Sequence, residues 1–329
     1  MTTTQYNFNT TATELVKTYA PLIKDKVILS TGVTVDSIGW TYVESVAAAS
    51  SPPKLLILAG RSQAKLDDAA ARLRASSPSC PVRTLVADLA SLSSVREAAA
   101  RVLAWDDVPA LDVVHCCAGV MAVPYRLSPD GFETQLAANH LGHFLLVNLL
   151  MEKILAAPAP RVVVVSSDGH RASPFRFEDF NFDGGKTYNK WTGYGQSKTA
   201  NMLFALSLAE KFGPARGLEA YSLHPGVIMS TNLAEGAGEL ESLFEHDKNN
   251  GYSLGWTKAF KQCSPDQGAA TSVYASFEPT LKHHNGAYLN ESRIADPFTD
   301  TVRPWATSSI EAERLWRLTE KLVGQEFKA

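Results

Sequence analysis

The most specific chemistry in this sequence belongs to a tyrosine and a lysine four residues apart. Tyr194 and Lys198 lie in the stretch YGQSKTANMLFALSLAEKF, which has helical character. Residues four apart share one face of a helix, so the phenol would lie beside the ammonium group. A nearby cation lowers the pKa of a tyrosine from about 10, and such a phenol can exchange a proton with an alkoxide or an alcohol. A Y-x-x-x-K pair is common by chance, and alone it would be interpreted as part of a solvated helix face.

Two polar residues upstream favour a site. Ser167 ends the apolar run RVVVVSS, where a hydroxyl can hydrogen-bond a substrate oxygen or cap a helix or turn. Asn139 lies inside FETQLAANHLGHFLL, in mid-helix, where it is either a satisfied core amide or part of a site. We interpret the flanking His140 and His143 as structural, because no further ligands are spaced for a metal.

These residues lie in an alternating pattern of apolar runs and helical segments. The predicted strands are 26–30, 54–59, 82–87, 111–117, 161–167 and 218–224. The predicted helices are 39–49, 63–75, 91–104, 132–155 and 191–212. Nearly continuous Val, Ile and Leu runs are typical of parallel strands buried on both faces. The pattern predicts an α/β fold with a doubly wound, Rossmann-type parallel sheet and helices on both faces.

The pattern continues without a linker, so we predict one catalytic domain at 25–329 after an N-terminal extension at 1–24. Two stretches, 168–190 and 227–262, break the rhythm, and long irregular loops are usually functional. We expect their aromatic residues to form an apolar rim over the site. These aromatics are Phe175, Phe177, Phe180, Phe182, Phe244, Tyr252, Trp256 and Phe260.

Composition excludes several classes of protein. The 329 residues are 45% hydrophobic and 20% charged, as in ordinary soluble proteins, and the net charge of −3 argues against a nucleic-acid binder. No secretory signal core or run of about 18 apolar residues occurs. None of the four cysteines forms a C-x-x-C pair, and the apolar run around Cys116 and Cys117 indicates that these two are buried strand thiols. We expect a soluble, cytoplasmic protein.

Four stretches resemble one enzyme family, in order and at the family's spacing: GFETQLAANHLGHFLL, RVVVVSS, YGQSKTAN and LHPGV. The chain resembles the short-chain dehydrogenases/reductases, in particular the retinol-dehydrogenase-like branch and its fungal-type members. The similarity runs from about residue 26 to 289, with a weaker match through VRPWATSSIEAERLW.

The resemblance implies four catalytic residues. Tyr194 would be the acid/base, and Lys198 would lower its pKa and hold the nicotinamide ribose. Ser167 would polarise the carbonyl, and Asn139 would anchor a water for proton relay. The same resemblance implies the cofactor contacts Thr31, Gly32, Ser37, Ile38, Gly39, Arg61, Asp88, Leu89, Ala118, Gly119, Tyr194, Lys198, Pro225, Gly226, Val227, Ser230 and Thr231.

Within this set, Pro225 and Gly226 would pass under the nicotinamide, and Ser230 or Thr231 would meet its carboxamide. Asp88 is equally a helix N-cap. Arg61 follows the second strand, where an acidic residue would favour NAD and an arginine accommodates the 2′-phosphate of NADP. The cofactor is therefore predicted to be NADP(H).

The chain departs from the family at two places. In the phosphate-binding loop 31–39, Asp36 and Ser37 fill the middle glycine position. We expect Asp36 to face solvent and the N–H groups of Ser37 and Ile38 to face phosphate. The stretch CCAG at 116–119 replaces the family's N-N-A-G, which removes two amides that usually brace the central strand.

Together these features predict an NADP(H)-dependent enzyme that interconverts a carbonyl and an alcohol. The small-molecule substrate would be bulky and lipophilic, as in a ketoreductase tailoring step of secondary metabolism. The two departures keep open an alternative, a family member diverted to a non-redox or cofactor-assisted dehydration or cyclisation. A non-catalytic dinucleotide sensor is disfavoured by the intact Tyr194 and Lys198 pair. The sequence leaves the stereochemistry and the choice between monomer and dimer open.

Overall fold

The structure is a computed structural model that describes residues 6–231, 233, 241–251 and 261–328. Within these ranges, eight strands form one sheet in the order β3-β2-β1-β4-β5-β6-β7-β8. The strands are β1 (Val27–Thr31), β2 (Leu55–Gly60), β3 (Val82–Val86), β4 (Val113–Cys116), β5 (Arg161–Val165), β6 (Glu219–His224), β7 (Tyr288–Asn290) and β8 (Arg293–Ile294). Only β8 runs antiparallel to its neighbour. The predicted parallel sheet is confirmed.

The helices that the structure describes are α1 (Ala12–Ile23), α2 (Ile38–Ala47), α3 (Gln63–Ser76), α4 (Leu92–Leu103), α5 (Thr134–Leu136), α6 (Gly142–Leu149), α7 (Met151–Leu155), α8 (Lys190–Arg216), α9 (Glu241–Asn249), α10 (Pro265–Phe277) and α11 (Ser309–Val323). They cover both faces of the sheet. In β1, Leu29 joins the cluster formed with α4, α6, α8 and α11, whereas its neighbour Ile28 joins the cluster formed with α1, α2, α3 and α10. Successive side chains of a strand point to opposite faces, so the sheet is buried on both sides.

Helix α1 lies in the stretch that the sequence analysis treated as an extension. Thr11 caps it by accepting the N–H of Glu14. Its buried residues include Leu15, Tyr19 and Ile23, which recur every four residues and pack into the core beside α10. This spacing was a signal that the sequence analysis missed. The division into an extension at 1–24 and a domain at 25–329 stays a prediction.

The predicted helix at 132–155 forms as several pieces. Helix α5 is followed by one turn of π-helix at Ala137–Leu141, and then by α6 and α7. A π turn inserts one residue into the helical ladder and occurs frequently at functional sites. Asn139 lies at the centre of this turn.

The aromatic residues of the 168–190 loop do not form the predicted rim. Phe175 is buried in the core beside α8 and α11, and Phe177 and Phe180 pack against the same cluster. Phe182 is fully buried and meets the ring of Tyr188 edge-on. These rings are more stable in the core, because burial removes their large apolar surface from water. In the 227–262 stretch, Phe244 lies in α9, while Tyr252, Trp256 and Phe260 fall outside the described residues.

Candidate active site

The parallel sheet brings the loops after β1 to β6 to one edge. Strands that run in the same direction end at the same edge, where ligands bind in doubly wound folds. The predicted site residues all end or follow these strands, or lie on α2, the π turn and α8. The sheet therefore collects segments that are more than a hundred residues apart in the sequence.

Tyr194 and Lys198 lie on one face of α8, as the sequence predicted. The side chain of Asn189 begins the helix by accepting the N–H groups of Trp191 and Thr192. The Lys198 Nζ lies 5.6 Å from the centre of the Tyr194 ring and donates to the Val165 carbonyl at 3.1 Å. Both side chains are buried.

The predicted lowering of the tyrosine pKa is wrong for this environment. Burial raises the pKa of Tyr194 to about 12, opposed by a hydrogen bond with Ser167 and assisted by the negative charge of Asp168. Burial also lowers the pKa of Lys198 to about 8. Removal from water is the largest cause of both shifts, since burial disfavours every charged form. The phenol therefore keeps its proton near neutral pH and is set up as a donor.

Ser167 is both a turn cap and a neighbour of the phenol. Its Oγ accepts the N–H of Gly169 at 2.9 Å, which begins the 3₁₀ turn Asp168–Ala172. Because that bond uses an oxygen lone pair, the hydroxyl proton remains available. A Cβ on Gly169 would collide with the Tyr194 ring, so glycine is required for this close approach. Both interpretations of Ser167 fit the same geometry.

Asn139 uses its whole amide on protein partners. Its Oδ1 accepts the N–H of Val120 at 2.8 Å, and its Nδ2 donates to the Val120 carbonyl at 3.0 Å and to the Ser197 Oγ at 2.9 Å. The amide thereby fixes the segment after β4 to α8. Its contact with a relay water stays a prediction.

A different set of hydrogen bonds braces the segment that lacks the family's amides. The Thr31 Oγ1 accepts the N–H groups of Cys117 at 2.9 Å and Ala118 at 3.1 Å. The His143 Nδ1 lies 2.9 Å from the carbonyl of Asn139, and its Nε2 lies 2.8 Å from the Thr31 Oγ1. A carbonyl can only accept, so Nδ1 carries the ring proton and Nε2 accepts from Thr31. This buried histidine was interpreted as structural, and the structure places it between the cofactor loop and the π turn.

Three glycines of the predicted cofactor site lie in very close contact with neighbouring parts of the protein. Gly32 has φ 73°, and a Cβ there would lie 2.6 Å from the Ala118 Cα. A Cβ on Gly39 would lie 2.7 Å from the Gly32 carbonyl oxygen. A Cβ on Gly119 would lie 3.1 Å from the Asn139 Oδ1 and 3.6 Å from the Lys198 Nζ. The loop after β1 and the segment after β4 thus approach each other, and approach the side chains of Asn139 and Lys198, more closely than larger residues would allow.

The unusual residues of this loop behave differently from each other. Asp36 is exposed, as expected, and has φ 66°, a left-handed conformation that aspartate tolerates better than most residues. The Ser37 hydroxyl donates to the Gly32 carbonyl at 2.9 Å, and the Ser37 N–H donates to the Thr34 carbonyl at 2.9 Å. The expectation that the Ser37 N–H faces phosphate is therefore wrong, because the Thr34 carbonyl accepts this N–H within the loop, while the Ser37 Oγ caps α2 by accepting the Trp40 N–H at 3.0 Å. Ile38 and Gly39 form the first turn of α2, where N–H groups point out of the helix.

The adenine side of the predicted cofactor site lies after β2 and β3. Arg61 is exposed directly after β2. Asp88 is not a helix cap, since Ser91 caps α4 and the Asp88 Oδ1 instead accepts the N–H of Ala90 at 3.0 Å. Leu89 is buried against Gly142.

The nicotinamide side of the predicted site lies after β6. Pro225, Gly226 and Val227 are half-buried, and Gly226 has φ 86° with the Cys263 sulfur packed against it. Ser230 is exposed, whereas Thr231 is buried with its hydroxyl 3.4 Å from the Ile228 carbonyl. Thr231 is therefore the more constrained of the two candidate carboxamide contacts.

An apolar cluster around the phenol was missed from the sequence. Tyr194 packs with Trp191, Ala122 and Leu243, and Met121 lies against them. The Trp191 Nε1 donates to the Ser242 Oγ of α9 at 3.0 Å. The sequence feature that could have indicated this cluster is Trp191, which lies one helical turn before Tyr194. Helix α9 thus lies over the catalytic candidates and gives their surroundings an apolar wall.

Comparison with known proteins identifies the class. Residues 26–241 match the model of the family described as short chain dehydrogenase, and the chain belongs to this family. The resemblance to its retinol-dehydrogenase-like branch is confirmed. The chain is 34% identical to the oxidoreductase calI of Penicillium decumbens, over 96% of this chain and 93% of that protein. It is 33% identical to mouse retinol dehydrogenase 12, over 93% of this chain and 89% of that protein.

A solved structure also matches over nearly the whole length. A putative uncharacterized protein from Mycobacterium paratuberculosis has a TM-score of 0.70 and 30% identity, covering 97% of this chain and 99% of that one. Among the residues that the structure describes, no helix is long and apolar enough to cross a membrane. In the same ranges, no three histidine, cysteine or acidic side chains are grouped as a metal site.

Proposed function

We propose that this oxidoreductase reduces a carbonyl to an alcohol, or runs the reverse reaction, with Tyr194 as the acid/base. The observation that carries the proposal is the buried phenol of Tyr194 with Ser167 and Lys198 beside it. Ser167 would donate a hydrogen bond to the substrate oxygen and keep its own proton, while Tyr194 would transfer one proton to that oxygen as it becomes an alkoxide. Asn139 would hold the segment 118–120 in place. Burial strengthens these interactions, because they act in a medium of low dielectric.

The carboxyl edge of the sheet fits a dinucleotide. Gly32 and Gly39 let the loop after β1 pack closely on Ala118 and on itself, and the N-terminus of α2 presents N–H groups suited to a diphosphate. A bound nicotinamide would supply the hydride. Lys198 would hold the nicotinamide ribose, and Thr231 would meet the carboxamide. The exposed Arg61 would pair with a 2′-phosphate, so the proposed cofactor is NADP(H).

The proposed substrate is bulky and lipophilic. The apolar cluster of Met121, Ala122, Trp191 and Leu243 around Tyr194 supports this substrate class. The aromatic residues of the 168–190 loop do not support it, because they pack into the core. Ligand pockets are mostly apolar with a few polar anchors. The names of the fungal oxidoreductase and the retinol dehydrogenase are compatible with this class, and we keep a tailoring step in secondary metabolism as the proposed setting. We also propose that 25–329 acts as one catalytic unit, as a cytoplasmic monomer or dimer.

Two structural features weaken the case for the alternative, a non-redox or cofactor-assisted step. Asp36 is exposed, so its charge is screened by water and salt. The missing amides at 116 and 117 are compensated by Thr31 and His143. We therefore place carbonyl reduction first.

The proposal is tested by cofactor titration followed by a substrate panel. The purified protein is titrated with NADPH and NADH, and nicotinamide fluorescence reports binding. The loaded protein is then mixed with ketones and aldehydes of increasing apolar bulk, and the products are analysed by mass. We expect tighter binding of NADPH and turnover that increases with apolar bulk. Better turnover of small hydrophilic aldehydes would contradict the substrate class, and a dehydrated product without NADPH consumption would favour the alternative.

A further inference from the structure

A buried histidine next to the proposed catalytic serine has no part in the chemistry described so far. His170 lies in the 3₁₀ turn that follows β5 and is fully buried. Its Nδ1 lies 2.8 Å from the backbone carbonyl of Ser167, and its Nε2 lies 3.2 Å from the backbone nitrogen of Arg303. The ring therefore bridges the serine and a segment 133 residues further along the chain.

The partners determine the protonation of this ring. A carbonyl only accepts and a backbone N–H only donates, so Nδ1 must carry the proton and Nε2 must be bare. Burial lowers the pKa of His170 to about 4, which favours this neutral form. A neutral imidazole with one donor and one acceptor satisfies both neighbours.

Further contacts join the same turn to the C-terminal segment 300–305. The Trp305 Nε1 donates to the His170 carbonyl at 3.3 Å. The Arg171 side chain donates to the Asp300 carbonyl at 2.6 Å and also pairs with Asp168 at 2.9 Å. The segment includes VRPW, the start of the weaker sequence match, and it lies beyond the residues that the family model covers. The 3₁₀ turn that Ser167 caps is thus hydrogen-bonded to this C-terminal segment.

We infer that His170 is a positioning residue that fixes the Ser167 backbone against segment 300–305, and that this C-terminal segment is part of the catalytic scaffold. The inference rests on the proposed role of Ser167. Misplacing a reacting group by about 1 Å can cost about a hundredfold in rate, so a brace at the serine backbone affects turnover. Cofactor binding is not expected to change, because His170 meets the backbone of Ser167 on the side of the C-terminal segment.

The backbone of Arg303 offers a test that removes one hydrogen bond. Its φ is −82°, close to the angle of about −65° that proline imposes, so Arg303→Pro deletes the N–H with little change in chain direction. Arg303→Ala loses the same side chain but keeps the N–H, and it is the matched control. We expect kcat of Arg303→Pro to be about tenfold below that of Arg303→Ala, with similar NADPH dissociation constants and melting temperatures. Equal kcat values for the two folded variants would overturn the inference.

A second pair of variants covers the case in which the proline variant does not fold. His170→Phe removes both ring nitrogens, whereas His170→Asn keeps an amide that can donate to the Ser167 carbonyl. We expect His170→Phe to lower kcat at unchanged NADPH affinity and His170→Asn to recover part of the loss. No loss in His170→Phe, or an equal loss in both, would overturn the inference.

Ser167→Ala separates this inference from the proposed function. If Ser167→Ala keeps wild-type turnover, the proposed role of the serine itself is wrong. If Ser167→Ala loses turnover while His170→Phe and Arg303→Pro retain it, the serine role stands and the bracing role fails alone.

Discussion

At the scale of single residues, burial disfavours the charged forms of both Tyr194 and Lys198, raising the pKa of the phenol and lowering the pKa of the ammonium group. A pKa of about 12 for the phenol means that it stays protonated throughout the physiological range. A protonated phenol is the state that reduction requires, since an alkoxide needs a proton donor.

Substitution of Arg61 tests whether the protein prefers NADPH to NADH. A charge-assisted hydrogen bond contributes about 1.5–3 kcal/mol, so Arg61→Ala should weaken NADPH by at least about tenfold. NADH lacks the 2′-phosphate, and its dissociation constant should change little. The measurement is the ratio of the two constants by fluorescence titration. As a control, Lys65→Ala alters another exposed cation of the following helix. An unchanged ratio in Arg61→Ala would contradict NADP specificity through this residue.

At the scale of elements, the sequence predicted the strands well and the interruptions poorly. Runs such as RVVVV at β5 are unambiguous because a strand buried on both faces is apolar throughout. The π turn at Asn139 was not predictable, since it depends on how the amide meets Val120 and Ser197, which are distant in the sequence. The 3.6-residue periodicity of apolar residues in a helix does not reveal a single inserted residue.

The candidate site divides in the same way. The order of Asn139, Ser167, Tyr194 and Lys198 could be predicted from motifs, and the structure brings them together. Their pKa values could not be predicted from spacing, because burial depends on packing by the whole fold. The aromatics of the 168–190 loop were assigned to a rim from composition, but apolar residues in a loop also fill the core beneath it.

The loop after β1 and the segment after β4 should behave as one element. Thr31→Val removes the acceptor for the N–H groups of Cys117 and Ala118 with almost no change in volume. An N–H group left without an acceptor costs up to about 1–3 kcal/mol, and two part-buried groups lose theirs, so the free energy of unfolding should fall by about 2–6 kcal/mol at most. Thr31→Ser keeps the hydroxyl and should lose much less. Urea unfolding measures both, and equal losses in the two variants would contradict this bracing role.

At the scale of the whole molecule, buried histidines make stability sensitive to acid. Burial lowers the pKa of His115 and His140 to about 3, and of His143 and His170 to about 4. In an unfolded chain the histidine pKa is about 6.5. Between about pH 4 and 6.5 the unfolded state therefore binds more protons. The stability is complete above this window and falls as the pH falls through it.

His140→Gln tests this dependence. We expect the wild-type free energy of unfolding to fall steeply below about pH 6. Each buried histidine contributes up to about 1.4 kcal/mol per pH unit to the slope of unfolding free energy against pH. His140→Gln should reduce this slope by the contribution of one histidine. The exposed His283 provides a control, His283→Gln, whose slope should match the wild type. The measurement is chemical unfolding at several pH values, and parallel curves for His140→Gln and the wild type would show that this buried ring does not titrate as described.

The central claim is that Tyr194 supplies the proton for carbonyl reduction, and Tyr194→Phe tests it most directly. The substitution removes one hydroxyl and leaves the ring packed against Trp191 and Leu243. The measurement is kcat with NADPH and the best lipophilic carbonyl of the panel, together with the NADPH dissociation constant and the melting temperature. The account predicts a kcat lower by about 10²–10⁴-fold, with cofactor affinity and melting temperature unchanged. A folded, NADPH-binding Tyr194→Phe variant with the wild-type kcat would contradict it.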